Sequence, residues 1–155
     1  MKKCINCNKG EYDEIEVRDY KYLTPMGYVT IEGDSQFLKC DRCSQVLIPG
    51  TLYEKWNKLI LEGLIKKSRA IDNKELQFIL SVLPYSQNQI SESMGKERST
   101  LTHYKSGKNP IDRLFDFTLR KIIVDFLEGN SKTMDDLKQT FEFQNESTGP
   151  RARAR

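Results

Sequence analysis

The chain has 155 residues, 25 Lys and Arg against 22 Asp and Glu, and 37% apolar residues. That suits one ordinary domain or two small ones, and no run approaches the ~18 uncharged apolar residues of a membrane-spanning helix. The opening MKKCINC has no apolar stretch behind its lysines, so it is not read as a secretory signal; a cytoplasmic location without membrane contact is expected.

All four cysteines fall in the first 43 residues, as CINC (Cys4, Cys7) and CDRC (Cys40, Cys43), with 32 residues between the pairs. In a reducing compartment such cysteines are read as metal ligands or free thiols rather than disulfides. Two thiolates three positions apart on a tight turn can face one ion, and two such turns supply a closed tetrahedral set. The expectation is one structural Zn2+ on Cys4, Cys7, Cys40 and Cys43. The alternatives are two redox pairs, which lack the βαβ context that chemistry uses, or four idle thiols. Between the knuckles, EIEVRDYKYL reads as a strand, TPMGYVTIEGD turns at Pro25 and Gly27 and resumes at Tyr28–Ile31, and QFLKC returns to the second knuckle. A hairpin or three-stranded sheet is predicted. Gly10 is expected to leave the first knuckle at positive φ, and Asp41 and Arg42 to be merely exposed. Residues 1–48 form the predicted zinc-binding domain, too small to fold without its metal.

Residues 49–70 read as a helical connector. Thr51 is the predicted cap, and Leu52, Trp56, Leu59, Ile60 and Leu64 form one apolar stripe. Gly63 and Lys66–Arg69 are the expected flexible joint.

Residues 71–141 read as an all-helical domain. Asp72 and Glu75 resemble a capping box before LQFILSVL, which Pro84 ends. Ser86 and Gln89 form a second box, with Ile90 and Met94 on one face, and Gly95 permits a left-handed turn. A third helix over Glu97–Lys105 keeps only Leu101 and Tyr104 inward. A long helix over Asp112–Leu127 is predicted to bury Leu114, Phe115, Thr118, Leu119, Ile122, Ile123 and Phe126, and Thr133–Phe141 reads as a last short one. Residues 142–155, ending TGPRARAR, are expected to be a disordered tail. The predicted fold class is α+β, two small domains: a β-rich zinc-binding domain, then an all-α helix-turn-helix domain.

Charge is uneven along the chain. Residues 1–50 carry 7 basic and 8 acidic residues, residues 66–121 carry 11 and 6, and residues 122–155 carry 5 and 6. A basic middle suits a phosphate-rich partner, though on charge alone a solvated face explains it equally well. Two short helices joined by a glycine turn, the second faced with Arg, Ser, Thr and His, fit a helix-turn-helix; an ordinary bundle with a polar surface helix is the alternative. On the DNA reading, Arg98, Ser99, Thr100, Thr102 and His103 meet base edges, and Gln87, Lys96, Lys105 and Lys108 line the phosphates.

The stretch SQNQISESMGKERSTLTHYKSG resembles the helix-turn-helix of XRE/Cro-type regulators. Joined to the two Cys-x-x-Cys knuckles, the chain resembles the MqsA antitoxin family with its YgiT-type zinc finger. The resemblance implies a bacterial type II antitoxin whose zinc domain binds a toxin, often an RNA-cleaving one. It also implies that the C-terminal domain forms a homodimer on a palindromic operator and represses its operon. Ser99 stands at the family's base-reading Asn and His103 at its base-reading Arg, which implies a different operator; Lys105 replaces a usual Glu, and the first knuckle lacks the common proline. The dimer surface is expected from Phe115, Phe117, Ile123, Phe126 and Leu127. No catalytic constellation is visible, so the chain is not expected to be an enzyme. A zinc-finger regulator without a toxin and a pure protein–protein interaction module are the competing readings.

Overall fold

A computed structural model describes residues 3–147. The fold is α+β, with a three-stranded antiparallel sheet preceding six helices among the described residues. The chain divides into two compact units, Met1–Ile60 and Leu61–Arg155.

In the first unit β1 (Tyr12–Thr24) and β2 (Gly27–Cys40) make a long hairpin, and β3 (Val46–Leu47) pairs with the far edge of β2. Gly27, at φ +104°, closes the turn, and the Thr24 hydroxyl donates to its carbonyl at 2.8 Å. The apolar alternation of β1 changes phase midway. Ile15 and Val17 face the core, and so do Tyr20 and Tyr22, at the opposite parity. The register slips between Arg18 and Tyr20 to allow this. Asp19 takes φ +50° there, and its carboxylate accepts the Gly33 amide at 3.0 Å. Without such a bulge, strict alternation would turn both tyrosines to solvent.

The core of this unit is Ile31, Phe37 and Trp56. Trp56 lies not in the hairpin but in α1 (Gly50–Ile65). Its indole stacks on Tyr20 at 5.2 Å and packs against Tyr22 and Phe37. The first part of the predicted connector is thus core material for residues 1–60. Thr51 lies inside α1, which starts at Gly50. Leu59 points outward, 49% exposed, while Leu61 is fully buried. The buried residues of α1 are Trp56, Leu61 and Leu64, and at ~100° per residue Leu61 lies about 140° round the helix from Trp56, so the buried arc differs from the predicted stripe.

The predicted joint is also different. α1 continues through Gly63 to Ile65. Beyond it, the Arg120 guanidinium donates to the carbonyls of Leu64, Ile65, Lys67 and Arg69 at 2.7–3.3 Å and to Asp116 at 3.0 Å. Lys67 and Arg69 both pair with Glu75, whose side chain is 4% exposed. One planar fork with five donors satisfies the orphan carbonyls at a helix end and holds the segment against the second unit's own helices.

In the second unit α2 (Asn73–Val82) and α3 (Gln87–Ser93) each start at a complete capping box, Asp72/Glu75 and Ser86/Gln89. α4 (Arg98–Ser106) packs on α2 and α3, and α6 (Lys132–Ser147) on α3 and α5 (Arg113–Glu128). Phe115, Leu119, Ile122 and Ile123 are buried on α5 as expected, but Leu114 is 71% exposed. At ~100° per residue Leu114 lies about 125° round the helix from the mean direction of those four, so the helix turns it away from the core. α6 continues past Phe141 to Ser147; the rest of the predicted tail, from residue 148 on, lies outside the described residues. No helix among those described is long and apolar enough to cross a membrane.

Candidate metal centre and candidate nucleic-acid helix

The two cysteine knuckles are built alike. In each, the residue after the second cysteine adopts a left-handed conformation, Asn8 at φ +53° and Ser44 at φ +56°. Its amide returns to the carbonyl of the first cysteine, Asn8 to Cys4 at 2.9 Å and Ser44 to Cys40 at 3.1 Å. This closed turn points both thiols of a pair the same way. The positive φ expected at Gly10 therefore falls on Asn8. Gly10 is needed for space instead: a Cβ there would collide with the Cys40 Sγ and the Asp41 carboxylate. Asp41 is exposed, as expected, but it is not idle. Its carboxylate accepts the Glu11 amide at 2.9 Å and its own amide donates to the Glu11 carbonyl at 3.1 Å, which clasps the knuckles together.

The four sulfurs lie within 4.8 Å of one another. Cys4 Sγ is 3.6 Å from Cys43 Sγ, and Cys7 Sγ is 3.7 Å from Cys40 Sγ. A tetrahedron with ligand bonds of about 2.3 Å has edges of about 3.8 Å. The donor set and its spacing thus fit a metal ion held by four thiolates. Backbone amides support the sulfurs: Gly10 donates to Cys7, and Arg42 to Cys40, each at 3.4 Å. The Cys7 amide is the main cause that draws the Cys4 thiol down to about 6. At Cys40 the Cys43 amide pulls downward, yet burial and the neighbouring sulfurs push that thiol up to about 12. Four thiols this close resist common ionisation without a cation, so loading the site releases protons.

The second candidate is the α3–α4 pair. Gly95, at φ +60°, makes the turn, and the Lys96 amide reaches back to the Ser91 carbonyl at 2.9 Å. Gly107, at φ +74°, ends α4. Leu101 and Tyr104 are the buried residues of α4, as expected. Arg98, Ser99, Thr102 and Lys108 are exposed, as is Gln87 at the start of α3, while Thr100, His103 and Lys105 are half-buried. At ~100° per residue, the direction opposite Leu101 and Tyr104 passes through Ser99, Thr102, His103 and Ser106. Ser106, absent from the sequence-based set, belongs to the centre of that face. Lys96 stands apart: its ammonium lies 2.8 Å from the Asp112 carboxylate.

No protein-family model, curated protein or solved structure matches this chain.

Proposed function

We propose that this protein is a zinc-bearing, DNA-binding repressor of antitoxin type. In this reading the Cys4 centre holds one structural zinc, α4 enters the major groove, and the first unit carries the toxin-binding surface. The chain is not an enzyme. The observation that carries the proposal is the outer face of α4, where Ser99, Thr102, His103 and Ser106 project beside Arg98 and Lys105. A nine-residue helix with two buried residues gains little from its own core. Short hydroxyls, an imidazole and cations are the groups that read base edges and neighbouring phosphates. An all-sulfur, closed ligand set favours zinc in a structural role. The resemblance to the antitoxin family adds the toxin partner and the autoregulated operon.

A homodimer on a palindrome completes the reading, because one short helix makes few base contacts. Phe115 and Ile123 are consumed by the core of their own unit, so they are removed from the dimer surface expected from the sequence. The apolar residues α5 leaves outward are Leu114, Phe117 and Val124, 71%, 57% and 37% exposed. These form the proposed dimer face.

The test is a mobility-shift series with a duplex from upstream of the protein's own coding sequence and a scrambled duplex of equal length. Ser99→Ala and His103→Ala should each weaken the natural duplex roughly 5- to 100-fold while remaining folded. Parent-like binding by both variants removes α4 as the reader. Copurification from the native operon tests the toxin: recovery without any second protein would leave a DNA-binding regulator alone.

A further inference from the structure

One carboxylate ties together three parts of the proposed DNA-binding unit. Asp112 caps α5, accepting the Phe115 amide on Oδ1 at 2.8 Å. Its Oδ2 accepts the Lys96 ammonium at 2.8 Å and the Tyr104 hydroxyl at 2.6 Å. Lys96 belongs to the turn between α3 and α4, Tyr104 to the buried side of α4, and Phe115 to the first turn of α5. The Tyr104 ring also meets Phe115 edge-on at 5.1 Å. We propose that Asp112 is the residue that sets the angle at which α4 is presented to DNA, and that Lys96 serves Asp112 instead of a phosphate.

The argument is mechanical. Leu101 and Tyr104 lie one turn apart, so apolar packing alone resists translation of α4 better than it resists roll. The Tyr104 hydroxyl, fixed at a stationary acceptor on the next helix, stops that roll. Lys96 does the same for the turn that feeds α4, and it neutralises the carboxylate that Tyr104 would otherwise approach alone. Lys96, then Tyr104, hold the Asp112 carboxyl well below the usual carboxylate range. A lysine committed in this way supplies no free charge to the groove edge. That duty is left to Arg98, Lys105 and Lys108.

The inference rests on the DNA-binding reading. Its test separates positioning from charge. Fluorescence anisotropy is measured with the upstream duplex and with the scrambled duplex, each across a salt series, for the parent, Lys96→Met, Asp112→Asn, Tyr104→Phe and the Lys96/Asp112 double variant. Asn still caps a helix, so Asp112→Asn retains α5; thermal melts by circular dichroism establish which proteins are folded. A positioning role predicts that Lys96→Met and Asp112→Asn each lower affinity for the upstream duplex on the order of tenfold, the scale of one good base contact. Affinity for the scrambled duplex and the salt slope stay as in the parent, and the double variant binds no worse than the weaker single one. Tyr104→Phe shifts affinity the same way. A phosphate role predicts equal losses on both duplexes and a salt slope shallower by about 0.9. That result for Lys96→Met, or parent-like discrimination in folded Asp112→Asn, overturns the proposal while the DNA reading stands. A parent that binds neither duplex overturns both together.

Discussion

Replacing Trp56 with Ala should undo the cysteine-bearing unit although Trp56 lies 13 residues beyond Cys43. The indole is 1% exposed and meets four aromatic rings, Tyr20, Tyr22, Phe37 and Tyr53, at 5.2–6.1 Å. It is one of three buried residues in that core. Truncating a buried Trp to Ala costs about 3–5 kcal/mol, and a unit of this size has little reserve. Each 1.36 kcal/mol is tenfold, so the opening equilibrium of the hairpin should rise by roughly 10^2 to 10^4. Amide hydrogen exchange on the full chain reads this directly. Protection of β1 and β2 should fall by that factor, while buried α5 amides such as those of Leu119 and Ile122 keep parent protection. Metal per chain should fall in parallel under mild chelator challenge. If β1 and β2 amides stay within tenfold of the parent, the hairpin and its knuckles support themselves, and the assignment of α1 to their core is wrong.

Chelation of the intact protein should remove strand signal and shift the fluorescence of the sole tryptophan, while the helical melt of residues 61–147 persists; a single coincident transition would refute this independence. Gly10→Ala should weaken metal binding about 10–100-fold, the usual effect of disturbing groups behind metal ligands, and competition with a chromophoric chelator measures it. Arg120→Met should cost roughly 3 kcal/mol, because Asp116 and four carbonyls lose one shared donor; protease cleavage should concentrate at Lys66–Arg69, and unchanged cleavage there would refute the pinning. Acid should destabilise the second unit in part through Glu75 and Asp112. Burial opposes ionisation of Glu75, yet Lys67, the Asp72 amide and Arg69 leave its carboxyl below the ordinary value, and Lys96 and Tyr104 do so for Asp112. Both groups bind protons more readily unfolded than folded, so their stabilisation is complete above about pH 5 and is lost as pH falls through about 4 and below. Urea midpoints from pH 7 to pH 3 follow it, with Glu75→Gln flattening the profile.

The candidate metal site was legible because its signal is local. Two Cys-x-x-Cys pairs and a β-rich stretch between them specify four thiols that a hairpin can gather. The reason for Gly10 was not legible, since it depends on how closely a sulfur 30 residues further on approaches it. The bulge at Asp19 did leave a trace: Ile15 and Val17 alternate at one parity, Tyr20 and Tyr22 at the other, and that phase change marks an inserted residue. On α4 the inward pair Leu101 and Tyr104 was readable from spacing. The engagement of Lys96 was not, because its partner Asp112 belongs to another helix.

By itself the sequence determined what depends on neighbours along the chain: the two knuckles, the hairpin turn, both capping boxes, the glycine stops after α3 and α4, and the order of strands before helices. Capping and turn formation are settled within a few residues, so composition at those positions suffices. Tertiary structure decided which side of each amphipathic element is covered and by what. Leu59 and Leu114 are apolar and exposed, Leu61 is apolar and fully buried, and nothing in their identity separates them. It also turned the predicted joint at Lys66–Arg69 into a segment tied by Arg120 and Glu75. Burial and ion pairing are properties of pairs of elements. A basic segment reads as a linker until a carboxylate on the next helix and the guanidinium of Arg120, some fifty residues further on, tie it down.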